Sequence, residues 1–227
     1  MEEFLCVYYH LKLHQSLLKI NKTYFSIFLI WLVHVSGLLG LLFYDFIFFA
    51  SFTPINLFLT SLLLMVNQIK LHSRELLCIV LIFWTGILVE FLGVNYGLLF
   101  GEYSYGKNLG PRLYGVPILI GMNWVILTTI SGSISNYISK GSKILSIVLG
   151  SILMLVIDFF IEPVAPMLDF WEFKNSIVPL SNYTGWLITG FFTQFLYQYL
   201  FRDKELKFSL NLYLAIFVFF LFLNFNI

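Results

Sequence analysis

ILSIVLGSILMLVIDFFI, residues 144–161, is eighteen residues long and carries a single charge, Asp158. A hydrocarbon core of about 30 Å needs about 20 predominantly apolar residues per helix, so this stretch reads as a membrane span. The pattern repeats on both sides of it. Towards the N-terminus lie Tyr24–Phe43, Pro54–Ile69, Glu75–Val94 and Val116–Ile138; towards the C-terminus lie Leu180–Leu200 and Phe208–Phe225. The block at Pro54–Ile69 is short and can tilt or join the apolar Phe46–Phe52 stretch. The expected fold is all-α: one polytopic integral membrane bundle of about seven transmembrane helices, a single domain over residues 1–227.

Composition agrees. Hydrophobic residues make up 59% and charged residues 11%, and mean hydropathy is +0.89. A soluble domain carries about 25% charged residues, so this chain could not cover a water-facing surface. A net charge of +1 argues against nucleic acid as a partner; membrane lipid is the expected surrounding. The two cysteines, Cys6 and Cys78, fall in the N-terminal arm and in a span, which disfavours both a disulfide and a thiolate metal site.

Lys and Arg orient the bundle. With the N-terminus inside, Lys12, Lys19, Lys22, Lys70, Arg74, Lys140, Lys143, Arg202, Lys204 and Lys207 are cytoplasmic. Only Lys107, Arg112 and Lys174, three of the 13 basic residues, lie on the other side. This asymmetry predicts N-inside and C-outside in a multi-pass cell (plasma) membrane protein. Residues 1–22 read as an interfacial arm and not as a signal peptide, because Lys12, His14 and Lys19 interrupt the apolar residues.

One segment breaks the apolar scaffold, EFLGVNYGLLFGEYSYGKNLGPRLYGVP at Glu90–Pro117. It is too polar to face lipid, and loops that interrupt a rigid scaffold carry function disproportionately. Residues 95–115 form the expected functional outer loop. Near the same outer side lie three acids, Glu90, Asp158 and Glu162. Asp158 and Glu162 are four apart and share one helix face. A carboxylate within a bilayer helix costs about 2.5–3.5 kcal/mol on insertion scales, so it normally points into the bundle. The blander reading leaves these acids at the interface, solvated among headgroups. Tyr96, Tyr103, Tyr105, Tyr114 and Tyr183, with Trp124, Trp171 and Trp186, read equally as an aromatic belt or as a pocket for an isoprenoid ligand.

Other chemistries find little footing. His10 and His14 have a metal-compatible spacing but no third ligand nearby. Four histidines in all are too few for a membrane di-iron oxygenase. No GxSxG or phosphate-cradling loop occurs. His34 reads as a packed histidine, and the last span has no lysine for a retinal-type Schiff base. No metal or cofactor is expected.

Taken in order, the motifs EFLGVNYGLLFGEYSY (90–105), LGPRLYGVP (109–117), Asn123-Trp124, DFFIEPV (158–164), Phe170-Trp171 and IVPLSNYTGW (177–186) resemble a known family. It comprises the bacterial and archaeal carotenoid-biosynthesis membrane proteins, including CruF-type carotenoid 1,2-hydratases and bisanhydrobacterioruberin hydratases. The resemblance spans roughly Arg74 to Leu200. Two positions depart from the pattern: Tyr96, where a small hydroxyl residue is common, and Glu162, where Asp is common before Pro.

The resemblance implies addition of water across the terminal C1=C2 bond of an acyclic ψ-end group, with an acyclic or monocyclic carotenoid as substrate. Protonation at C2 leaves a tertiary cation at C1. The site therefore needs an acid, a shield from bulk water and one placed water. A carboxyl in an apolar bundle can keep its proton at neutral pH and donate it. Asp158 is the expected acid, with Glu162 and Glu90 orienting water or accepting its proton. Asn95, Asn123 and Asn182 would supply polar lining, and the Tyr and Trp rings would face substrate and cation. Two alternatives stay open. A carotenoid cyclase would quench the same cation with an internal double bond, and a lipid or isoprenoid carrier would use the carboxylates for proton coupling.

Overall fold

The computed structural model describes the backbone of residues 2–68 and 72–226, with side chains from residue 22 onward. Its long elements are helices: α1 Glu2–Phe43, α2 Phe46–Ala50, α3 Thr53–Gln68, α4 Ser73–Tyr96, α5 Ile118–Ile138, α6 Lys143–Ile161, α7 Leu180–Leu200 and α8 Leu206–Asn226. The interfacial arm expected over residues 1–22, with His10 and His14, lies outside the residues whose side chains are described. The polytopic helical bundle expected from composition is the fold observed.

Six segments among the described residues are long and apolar enough to cross a membrane. They include Phe46–Gln68, in which α2 and α3 follow one another and make up the length that Pro54–Ile69 lacked. Pro54 sits in the first turn of α3, where its missing N–H costs no helix hydrogen bond. The expected count was seven. The remaining long helix, α7, has 21 residues, but its polar side chains lower its hydropathy. Asn182, Thr189, Thr193, Gln194 and Gln198 are all buried, so this polarity faces the bundle interior and not lipid.

α5 is the central helix. Its span is 78% buried, against at most 39% for the other spans, and it packs on α3, α4, α6, α7 and α8. Its inner half reads TTISGSIS (128–135), and small residues of this kind let neighbouring helices approach closely. α4 ends at Gly97, whose left-handed φ of +66° turns the Leu98 N–H back to the Leu92 carbonyl at 3.2 Å. Glycine meets no Cβ penalty in that conformation.

The loops beyond α4 and α6 meet across the outer end. Strand β1 (Tyr103–Tyr105) pairs antiparallel with β4 (Trp171–Phe173), in the register Tyr103↔Phe173 and Tyr105↔Trp171. Between them in sequence, β2 (Arg112–Leu113) and β3 (Val116–Pro117) form a second small ribbon that leads into α5. Two loops that would otherwise be independent thus become one lid over the helix ends.

The basic residues separate by end. Arg74 donates to the Tyr199 carbonyl at 3.0 Å, Lys143 lies over the Tyr199 ring, and Lys207 meets Tyr24. At the opposite end, Lys174 pairs with Glu102, and the Lys107 backbone N–H donates to Asp169. The positive-inside bias assigns the Arg74 end to the cytoplasm. A reporter fused after Asn226 is expected to read as external and one inserted at Lys140 as cytoplasmic. The reverse readout at both positions would invert the bundle.

Candidate active site

The site lies where the outer ends of α4, α5, α6 and α7 meet beneath the β1–β4 lid. Glu90, on the last turns of α4, is only 5% exposed. Its carboxyl accepts three hydrogen bonds: from the Tyr103 hydroxyl, from the Tyr105 hydroxyl at 2.6 Å and from Trp124 Nε1 at 2.9 Å. Burial, and next the Glu90 carboxyl itself, push both phenols well above their ordinary value, so both remain protonated donors. Three donors on one carboxyl favour its ionised form, in opposition to burial, which disfavours the charge.

Gly93 makes this contact possible. A Cβ there would lie 2.7 Å from the Tyr103 hydroxyl oxygen, so any side chain would displace the ring from Glu90. Trp124 is fully buried and stacks on Trp186 with centroids 4.3 Å apart and planes 16° apart.

The second carboxyl group is a pair. Asp158, on the last turn of α6, is fully buried, and Glu162, just past the helix end, is 4% exposed. Asn182, on the first turn of α7, donates to Asp158 Oδ2 at 3.0 Å and to Glu162 Oε1 at 2.8 Å. Trp171 Nε1 donates to Glu162 Oε2 at 3.0 Å. The two carboxyls thus share one amide donor. Like charges this close in an apolar bundle disfavour ionisation of both. Burial lifts Glu162 above the ordinary carboxylate range, while the bonds from Trp171 and Asn182 act the other way.

A small cavity separates Glu90 from the pair. It offers about 20 Å³ to the centre of a water-sized sphere, which is room for about one water. Glu90, Glu162 and Asn182 form its polar wall, and Phe100, Trp171 and Trp186 supply ring faces. Asp158 does not reach this wall. It sits one helical turn behind Glu162, with Oδ1 buried and lacking a hydrogen-bond partner. The position facing the cavity, expected for Asp158, belongs to Glu162.

The structure thus brings Glu90, Tyr103, Tyr105, Trp124, Asp158, Glu162, Asn182 and Trp186 to one centre. Three other expected residues lie elsewhere. Asn95 and Tyr96 are exposed and line an outer polar basin on the far side of Tyr103; Asn95 donates to the carbonyls of Phe91 and Tyr114, both at 3.0 Å. Asn123 lines a larger apolar groove that touches the cavity at Ile120 and Trp171. Phe100 and Phe173 were not among the expected site residues. Trp171 was expected as one ring of the outer aromatic cluster and within the motif Phe170-Trp171, but its bond to Glu162 depends on strand pairing. Among the described residues, no group of three or more His, Cys, Asp or Glu is placed to hold a metal ion.

A family model of carotenoid biosynthesis proteins matches residues 51–227, which include every residue of this centre. The chain belongs to that family. It is 26% identical over 132 residues to bisanhydrobacterioruberin hydratase of Haloarcula japonica. That match covers 52% of this chain and 43% of the relative. No solved structure matches.

Proposed function

We propose that this protein is a carotenoid hydratase of the cell membrane, adding water to the terminal C1=C2 bond of an acyclic ψ-end group. The carrying observation is the buried Asp158–Glu162 pair, bridged by Asn182, which presents Glu162 to a ring-walled cavity with room for about one water; in this reading the pair holds one proton between its two carboxyls. Membership of a carotenoid biosynthesis family and the likeness to a hydratase support the substrate class.

In this reading Glu162 delivers the shared proton to C2, and the π electrons of C1=C2 form the new C–H bond. The tertiary cation left at C1 meets the faces of Trp171, Trp186 and Phe100. Desolvated ring faces are worth about 2 kcal/mol to a cation. Water held by Glu90 attacks C1 and yields its extra proton to that carboxylate. The net change is addition of one water. The proton on Glu90 returns to the pair through the next water that fills the cavity. Asp158 acts as the proton reservoir behind Glu162, which revises the direct role expected from sequence. Tyr103, Tyr105 and Trp124 keep Glu90 ionised and in place.

The direct test is expression in a bacterium that accumulates lycopene or γ-carotene, followed by mass analysis of the pigments. A product heavier by one water is expected. An isomer of unchanged mass would instead identify a cyclase, and unchanged pigment would remove the reading. The oxygen source is a separate prediction. Cells grown without dioxygen should still form the alcohol, and product made in heavy-oxygen water should carry the label. Strict dependence on dioxygen would overturn the mechanism.

A further inference from the structure

A large apolar hollow lies beside the site, apart from the carboxyl groups. It lies between α1, α3, α5 and α8 and offers about 410 Å³ to the centre of a water-sized sphere, within the about 300–1,000 Å³ typical of small-molecule sites. Its mouth is on the lipid side, at Ser36 and Phe52 and at Ile55, which is 63% exposed. Its floor is deep: Thr60, Ile120, Ile126 and Leu168 are each at most 5% exposed. Along α1 it runs from Val33 to Leu41, a rise of about 12 Å. Since α1 ends on the lid side, the groove rises from mid-bilayer towards the lid.

Its upper end shares Ile120 and Trp171 with the carboxyl cavity. Trp171 therefore has two contacts: its Nε1 holds Glu162, while its side chain also walls the groove. An elongated hydrocarbon entering from the lipid would bring its terminus to that wall. Lipid acyl chains would fit the lower groove, but nothing in their chemistry calls for a route ending at a carboxyl pair.

We propose that this groove is the polyene channel, admitting an isoprenoid chain sideways from the bilayer and leading its end past Ile120 and Trp171 to Glu162. This rests on the hydratase reading for the nature of the guest. The groove sets two features of substrate choice: the guest must be long and apolar, and it must present an uncyclised end slim enough to pass Ile120 and Trp171.

Two variants test it. Gly37 lines the groove, and a Cβ there meets only Phe219 Cε2, at 3.7 Å, an ordinary contact. Gly37→Phe should therefore project a ring into the channel. Ser36→Phe does the same at the mouth, from an exposed position where core packing is not at stake. Membranes and purified protein would be assayed with lycopene and with a short acyclic isoprenoid bearing the same terminal double bond. Lycopene binding would be followed separately, by its induced circular dichroism.

Both variants are expected to lose at least about tenfold in lycopene hydration, the scale of a steric mismatch in an apolar pocket, and to lose the dichroic signal. The short substrate should remain within about twofold of wild type. Unchanged lycopene hydration and dichroism in both variants would overturn the channel, as would equal losses for long and short substrates. Wild-type protein with no lycopene dichroism would do the same, leaving lipid as the occupant. If wild type shows dichroism that both variants abolish but forms no hydrated product, the channel stands and the hydratase reading falls.

Discussion

Glu162→Gln is expected to cut hydrated product per unit of inserted protein by about 10²–10⁴-fold, the usual contribution of a positioned acid. Glutamine keeps one acceptor oxygen, for Asn182 or for Trp171, so insertion and folding should be largely preserved, but it has no proton to give an alkene. Asp158→Asn should fall comparably at neutral pH for a different reason. The pair would lose its shared proton, and an amide donor in its place would stabilise the ionised form of Glu162. The pH profiles then separate the two. A carboxyl held ionised regains its proton as pH falls, so Asp158→Asn should recover part of its activity in acid. Glu162→Gln should recover none. Glu102→Gln is the control, since its pairing with Lys174 is exposed on both sides and such pairs contribute little. Near-normal yield from Glu162→Gln would remove it as the donor.

Glu90→Ala should loosen the lid. The substitution leaves the hydroxyls of Tyr103 and Tyr105 and the indole N–H of Trp124 without their acceptor. An unpaired buried donor costs about 1–3 kcal/mol, though water entering the space left by the carboxyl offsets part of this. The loss should appear as faster amide exchange at residues 103–105 and 171–173, the two strands of the lid, and as a lower melting temperature. Glu90→Gln, which keeps one acceptor oxygen, should lie between wild type and Glu90→Ala. Unchanged exchange in Glu90→Ala would mean that the lid is held by strand pairing alone.

Sequence and structure part company at identifiable places. Asn95 was expected at the site as polar lining and Tyr96 as one ring of the outer aromatic cluster. On a helix, positions five and six residues on from Glu90 turn away from its face, while those three and four on stay with it. Gly93 lies on that face and meets Tyr103, whereas Asn95 and Tyr96 face the outer basin. Helical periodicity alone would have corrected this. The expected span Leu180–Leu200 is α7, although mean hydropathy alone would have missed it. Hydropathy averages over all sides of a helix, and it cannot know that Asn182, Gln194 and Gln198 face protein. Trp171 was expected in the outer aromatic cluster, but its bond to Glu162 was beyond local reasoning. It reaches Glu162 because a three-residue strand pairs with another lying far away in the chain, and strands so short leave no periodic trace.

The lipid surroundings, the helix lengths and the gathering of Glu90, Asp158 and Glu162 towards one end of the bundle were legible in the sequence. Each follows from local quantities: apolar run length against bilayer thickness, the count of Lys and Arg, and the cost of a carboxyl in hydrocarbon. Tertiary structure decided which carboxyl faces the cavity, which donors hold Glu90 and how the groove meets the acid pair. Those depend on rotation of helices about their axes and on loop pairing across the bundle. Both are set by packing among residues distant in the chain, and that information no single segment carries.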